Sequence, residues 1–455
     1  MKQSKAVILN ANPGALAVTA SAARMSTQEG TALEIYAKSG DHDRDLGLIG
    51  KVLASGHKSV IEHQTFSVAL NDVSVLAEQF IIEFRLASYT VKSRRYVDFS
   101  QAGYVVPESL NGGLRERYCA QMERLFEDYS NLLKRGIPKE DARFLFPYAL
   151  RSNFFMTVNA RELIHMICSM LAGRGANFEE LKQLGGQLKA QFDEIYPGVI
   201  DKELTRYRAP AAERVPSEIL AGRDVRGGVA LLSAPQDARE ILETAMAFSG
   251  RFEPQDGRCL CAKNMALLCA DSRPRELEAL HYTFRVSNIS LACLTHFTRH
   301  RMLSLQIPKV LRALCGGQYV LPESVHQDPE AERVYRAAFQ RQAEAARQAE
   351  AEGAPPEILS YYAMSGHVLD ILLTANAREL LHLAKLRTCN RAQWEIRGVA
   401  REMLLRLNEH APEIFSGFGP SCAVTGRCPE GRMSCGWPVR IENGKWIAEE
   451  AGKRT

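Results

Sequence analysis

Asn159-Ala160-Arg161-Glu162-Leu163 returns as Asn376-Ala377-Arg378-Glu379-Leu380, displaced by 217 residues. Tyr104-Val105-Val106-Pro107-Glu108-Ser109 returns as Tyr319-Val320-Leu321-Pro322-Glu323-Ser324 at 215, and Gly136 and Pro138 return as Gly353 and Pro355 at 217. Separate segments that hold one register imply duplication of a whole stretch, because chance matches would drift. The period is too long for a solenoid unit, so each copy is a domain-sized fold. The expected division is a first copy over 1–215, a second over 225–420, and a Cys-, Gly- and Pro-rich tail over 421–455. Between the copies, Arg208, Pro210, Arg214 and Pro216 read as a linker.

Working outward, Val7-Ile8-Leu9 and Val229-Ala230-Leu231-Leu232 read as equivalent opening strands. Each precedes an alanine-rich helical stretch, 18–25 and 238–248. Alternation of period two over 65–70 and 282–286 predicts strands. Stretches 75–85 and 291–301 read as helices ending in basic residues. Stretches 114–134 and 329–351 read as charged amphipathic helices with one solvated face.

With 455 residues, two domains can each bury a core. A hydrophobic share of 46% and a charged share of 24% suit a soluble enzyme, and no apolar run is long enough to span a bilayer. A net charge of +4 is too small to indicate nucleic-acid binding. Residues 1–9 lack the apolar core and cleavage site of a signal peptide. Eleven cysteines without an export signal point to reduced thiols. The expectation is a cytoplasmic protein with small-molecule ligands and neither nucleic acid nor membrane as partner.

Three stretches carry chemistry. Gly56-His57-Lys58-Ser59-Val60-Ile61-Glu62-His63 precedes a strand, Ser93-Arg94-Arg95-Tyr96 follows a helix, and Arg299-His300-Arg301 ends the helix begun near Leu291, with Ser304 close behind. Arginine offers a permanently charged fork suited to phosphate, and histidine an imidazole that titrates near neutrality. The plainer reading of the triplet is a solvated helix end favoured by the helix dipole.

These motifs, with Asn-Ala-Arg-Glu-Leu and Ala392-Gln393-Trp394-Glu395-Ile396-Arg397 downstream, resemble those of the flavin-dependent thymidylate synthases. That family's pattern is Arg-His-Arg, a spacer ending in Ser, then Ser-x-Arg-Tyr, with Gly-His-x-Ser-x-x-Glu-His upstream. The resemblance implies an α+β fold in two tandem copies, each a mixed sheet with long helices. It implies FAD as cofactor, dUMP or a related pyrimidine nucleotide as substrate, and methylenetetrahydrofolate and NADPH as co-substrates. Tetrameric relatives share each active site between subunits, so a homodimer of this chain would form a pseudo-tetramer. By the same resemblance Arg299, His300 and Arg301 are catalytic, and with His57, Ser59 and Gln393 they contact the flavin. Ser93, Arg94, Arg95, Arg161 and Arg378 bind the nucleotide, and no metal is required there. The alternative is a non-catalytic flavin- or nucleotide-binding scaffold of the same fold.

The copies diverge where the motifs lie. At a displacement of 216, Arg299-His300-Arg301 faces Glu83-Phe84-Arg85, while Ser93, Arg95 and Tyr96 face Lys309, Leu311 and Arg312. His57 and Ser59 face Arg273 and Arg275. Residues 392–397 find only an eroded match near Ala176-Asn177-Phe178-Glu179. The resemblance then implies one composite pocket, with Arg299, His300 and Arg301 from the second copy and His57, Ser93, Arg94, Arg95 and Arg161 from the first. The reciprocal pocket, with a carboxylate at Glu83, would oppose a phosphate.

His165 and His382, on apolar helical stretches, read as core histidines, and Tyr96, Tyr104, Tyr319 and Trp394 as core aromatics. Arg161 and Arg378 have a competing structural reading as anchors of their helices through buried charge pairs. Cys422, Cys428 and Cys435 in the tail are either free thiols or ligands for zinc or an iron–sulfur cluster. The second reading needs a fourth ligand, for which Cys259, Cys261, Cys269 and Cys389 are candidates.

Overall fold

The computed structural model describes residues 3–211, 219–220, 222–436, 439–442 and 445–448, the last two stretches by backbone alone. Arg214 and Pro216 of the expected linker lie outside the described residues.

Strands β1 (Lys5–Ala11), β2 (Thr65–Ser74), β3 (Ala87–Val91) and β4 (Arg151–Asn159) form an antiparallel sheet in the order β1-β2-β4-β3. Strands β5 (Gly228–Ser233), β6 (His281–Ser290), β7 (Ser304–Gln306) and β8 (Val368–Asn376) repeat it as β5-β6-β8-β7. The register is the same. Met156 faces Val68 on one side and Tyr89 on the other, and Leu373 faces Phe284 and Leu305. These positions differ by 216 or 217 throughout, so the duplication read from short motifs extends to strand pairing.

Alternation explains the strands. Along β4, Phe154, Met156 and Val158 are buried while Phe155 and Thr157 face outward. Helices α3 (Ala160–Leu171) and α4 (Glu179–Asp193) cover the apolar face, packing Leu163, Ile167, Leu184 and Leu188 into one core with Val68, Leu70 and Met156. Both sheets carry the same kink. Asp72 (φ 52°) and Asn288 (φ 53°) adopt the left-handed conformation, which Asp and Asn tolerate better than other side-chain-bearing residues. Their N–H groups donate to Asn153 Oδ1 and Asp370 Oδ1, each at 2.9 Å.

Beyond the kink, each strand runs into a buried helix, α1 (Val75–Ile82) or α5 (Leu291–Phe297). A carboxylate locks each junction. Glu180 accepts from Ser74 N at 2.7 Å and Oγ at 2.5 Å, and Glu395 accepts from Ser290 in the same way. The counterpart of Glu395 is therefore Glu180, and the sequence match to Glu179 slips by one residue. Glu179 and Glu180 are adjacent and identical, so the sequence does not distinguish them.

The chain divides into two compact units, Met1–Gly222 with Pro322–Ser365, and Arg223–Leu321 with Gly366–Thr455. The long helix of the second copy, α6 (Pro329–Ala351), thus belongs to the first unit, where it packs against its own counterpart α2 (Gly112–Lys134). Gln121 Nε2 donates to Gln342 Oε1 at 2.8 Å, Arg135 forks onto Asp328 at 2.7 and 2.9 Å, and Tyr118 meets Tyr362 edge-on at 5.2 Å. Helix α6 buries Tyr335, Phe339, Ala343 and Ala346 and exposes Arg333, Glu344 and Gln348, which is the expected amphipathic division. Among the described residues, no helix is long and apolar enough to cross a membrane.

Candidate functional site

Ser290 caps α5, its Oγ accepting from Cys293 N at 2.9 Å. The helix stops at Phe297, shorter than the expected 291–301, so the triplet lies in the turn that follows. There His300 is buried while Arg299 and Arg301 are exposed on either side. His300 Nδ1 lies 2.8 Å from Glu379 Oε1, and Arg387 Nε donates to His300 Nε2 at 3.0 Å. Because arginine only donates, Nε2 must accept, and the single ring proton sits on Nδ1, donated to Glu379. Burial lowers the pKa of this imidazole; Glu379 opposes the shift and Arg387 adds to it. The ring is therefore a neutral anchor that fixes the turn presenting the two arginines. His382 completes a cluster with His300 and Glu379 whose ligand atoms lie within 4.8 Å, but both nitrogens of His300 are already engaged.

Glu379 is placed by the repeated motif. Asn376 Oδ1 accepts from Glu379 N at 2.9 Å and starts α7 (Ala377–Arg387), Arg378 pairs with Glu278, and Leu380 enters the core. The first copy does the same. Asn159 caps Glu162 N at 2.9 Å, Arg161 Nη1 bonds Glu62 Oε1 at 2.7 Å, and Leu163 is buried. The Asn, Arg and Leu of the motif thus have the same structural tasks in both copies. The two arginine pairs lie at the surface rather than buried as the anchoring reading expected.

In the first copy the triplet position is closed. Phe84 stands where His300 stands, 5.2 Å edge-on to His165. Glu83, in place of Arg299, is paired with Arg174 at 2.5 Å and accepts from Gln79 Nε2 at 3.0 Å. The Arg174 guanidinium covers the Phe80 and Phe84 rings at 4.2 and 5.3 Å. Arg174 precedes Arg391 by 217 residues, the displacement of the repeated Asn-Ala-Arg-Glu-Leu, and that is the one signal for it in the sequence. Arg387 offered none.

The Ser-x-Arg-Tyr segment of the first copy forms a turn, with Val97 N donating to Ser93 O at 3.0 Å and Arg95 N to Ser93 Oγ at 3.3 Å. Arg94 turns inward and forks onto buried Glu78 at 2.7 and 2.9 Å. Arg95 remains half-buried, its Nε 2.7 Å from Glu140 Oε1. In the second copy Leu311, facing Arg95, is a core residue. His57 and Ser59 are exposed at the start of a 3₁₀ turn over Lys58–His63. Gln393 caps α8 (Trp394–His410), its Oε1 accepting from Ile396 N at 3.0 Å, while its buried Nε2 has no partner.

Three core expectations fail. His165 is 54% exposed, His382 is exposed, and Tyr96 is 60% exposed. The two histidines lie on the outer faces of α3 and α7, where Leu163, Ile167, Leu380 and Leu383 supply the buried stripe. Tyr319 is buried as expected, and Tyr104 and Trp394 are partly buried. A cavity of about 480 Å³ in the first unit, lined by Arg115, Arg151, Glu180 and Tyr361 among others, contains none of the expected site residues.

Comparison with known proteins fits this architecture. The model of the family described as "Thymidylate synthase complementing protein" (Thy1) matches residues 7–198 and again 230–413. A flavin-dependent thymidylate synthase of Geobacter sulfurreducens is 39% identical over 169 residues, 36% of this chain and 72% of the relative. One from Clostridium tetani is 31% identical over 191 residues, 38% of this chain and 76% of the relative. Among solved structures, the UMP/dUMP methylase PolB of Streptomyces cacaoi, bound with 5-Br dUMP, aligns at 21% identity. That alignment covers 45% of this chain and 96% of PolB, with a TM-score of 0.38. With one match falling on each copy and together spanning more than half of its length, the chain belongs to the Thy1 family, as a tandem pair of α+β copies.

Proposed function

We propose that this protein is an FAD-dependent, thymidylate synthase-like enzyme. It methylates dUMP or a related pyrimidine nucleotide reductively, with methylenetetrahydrofolate as one-carbon donor and NADPH as reductant. The nucleotide site draws on both copies. The observation that carries this reading is the complementary loss: the second copy holds Arg299 and Arg301 on a fixed His300 but has Leu311 opposite Arg95. The first copy keeps the Ser93–Arg95 turn but has Glu83, neutralised by Arg174, opposite Arg299.

In this assignment Ser93, Arg95 and Arg161 bind the nucleotide, and Arg378 serves the equivalent position of the second copy. Arg94, committed to Glu78, positions the turn instead of touching the ligand. Arg299 and Arg301, with His57, Ser59 and the unsatisfied amide of Gln393, suit a flavin that is anionic at its diphosphate and rich in acceptors. When bound, reduced flavin supplies the reducing equivalents that convert a transferred methylene into a methyl group. His300 remains neutral and holds the arginines in place.

Incubating FAD-loaded protein with dUMP, methylenetetrahydrofolate and NADPH should yield dTMP, with NADPH oxidation stimulated by the nucleotide. Glu83 and Leu311 also suit a scaffold that binds ligand without turnover. Retained nucleotide binding with no methyl transfer would select that second reading.

A further inference from the structure

The eleven cysteines, none of them in a disulfide, fall into distinct settings. Cys259 is buried beside Glu243, whose carboxylate accepts from Cys259 N and Leu260 N at 2.6 and 2.7 Å, with Cys261 next to it. Cys269 lies beneath Gly417, its thiol pushed up to about 12 by burial against the opposing charge of Lys385.

Cys389 differs. It follows α7 directly, and the tail returns to that place. Ser421 Oγ donates to Lys385 O at 3.2 Å, docking the short helix α9 (Ser421–Thr425), which carries Cys422, on the end of α7. Asn390 Nδ2 points at Cys435 Sγ from 4.0 Å. Cys428 lies on the loop joining Cys422 to Cys435, and all four are half-buried.

We infer that Cys389, Cys422, Cys428 and Cys435 form a four-thiolate site for an iron–sulfur cluster. Four thiolates need compensating charge and hydrogen bonds to sulfur, and both are present. Arg397 Nη1 donates to Asn390 O at 3.0 Å and Arg401 Nη2 to Asn390 Oδ1 at 3.1 Å, bringing two guanidiniums to the loop beside Cys389. Arg391 N donates to Cys389 Sγ at 3.5 Å.

A cluster fits better than a single zinc. Zinc holds four sulfurs at about 2.3 Å, and so within about 4 Å of one another. Among the described residues, no three of these thiols lie within 4.8 Å of one another. A multi-iron cluster spreads its thiolates over different irons. The tail also lacks the short Cys-x₂₋₄-Cys knuckle of structural zinc sites, with five and six residues between successive cysteines. Pro429 after Cys428 makes the Cys-Pro step that occurs in cluster-binding runs.

The full chain, purified without oxygen, should contain iron and acid-labile sulfide in equal amounts, about two or four of each per chain. Dithionite reduction should give the paramagnetic resonance signal of a reduced cluster. Cys422→Ser and Cys428→Ser should each lose the iron, while Cys269→Ser keeps it. The metal count of the unaltered chain stands even if a variant fails to fold. One zinc per chain without sulfide overturns the cluster, and no metal with four alkylatable thiols overturns the site.

Discussion

His300 donates its ring proton to Glu379 across 2.8 Å, both side chains almost fully buried, and this pair fixes the turn that carries Arg299 and Arg301. Glu379→Ala removes the acceptor and leaves a buried N–H unsatisfied, at a cost of about 1–3 kcal/mol. Urea unfolding should show that loss. Flavin affinity should fall in the same variant although position 379 is assigned no ligand contact. Unchanged flavin affinity would separate the anchor from the site.

Stability should depend on pH through two buried histidines. Burial lowers the pKa of His367 from 6.5 to about 3, and His300 is shifted in the same direction. The unfolded chain therefore takes up protons first as pH falls. The contribution is present in full above about 6.5 and drains away toward the folded values. Melting temperature should be level above neutrality and drop below about pH 6, by an amount worth a few kcal/mol. His367→Gln should flatten that profile; an unaltered slope would assign the effect to other groups.

Adjacent arginines in the first copy should behave differently. Arg94→Ala strands Glu78 in the core and should cost about 3–5 kcal/mol in denaturant unfolding. Arg95→Ala, at a partly exposed pair, should cost about 1 kcal/mol or less and weaken nucleotide binding about ten- to hundredfold.

Arg174→Ala tests the closed position of the first copy. Loss of a partly exposed pair and its ring contacts should cost about 1 kcal/mol. Nucleotide affinity should stay within twofold. A larger loss of affinity would mean that the first-copy position still binds ligand.

The repeat was legible because Asn159 and Asn376 each cap a helix, Arg161 and Arg378 each pair with a glutamate, and Leu163 and Leu380 are each buried. Strand order and register repeat at the same displacement, but the motifs alone do not reveal them. What could not be read depends on which face of a helix meets the core. His165 and His382 sit among apolar neighbours in sequence yet point outward, a distinction of one helical position. Arg94 and Arg95 are indistinguishable as letters, and only the turn sends one guanidinium to Glu78 and the other to Glu140. Nor does spacing along the chain reveal that the short helix carrying Cys422 docks beside Cys389, a neighbourhood made by packing of α9 on α7.

Calorimetric titration of dUMP into FAD-loaded protein tests the shared site most directly. One nucleotide should bind per chain, and Arg299→Ala and Arg95→Ala, each alone, should weaken it by similar factors. Two nucleotides per chain, or full binding in either variant, would contradict a single pocket assembled from both copies.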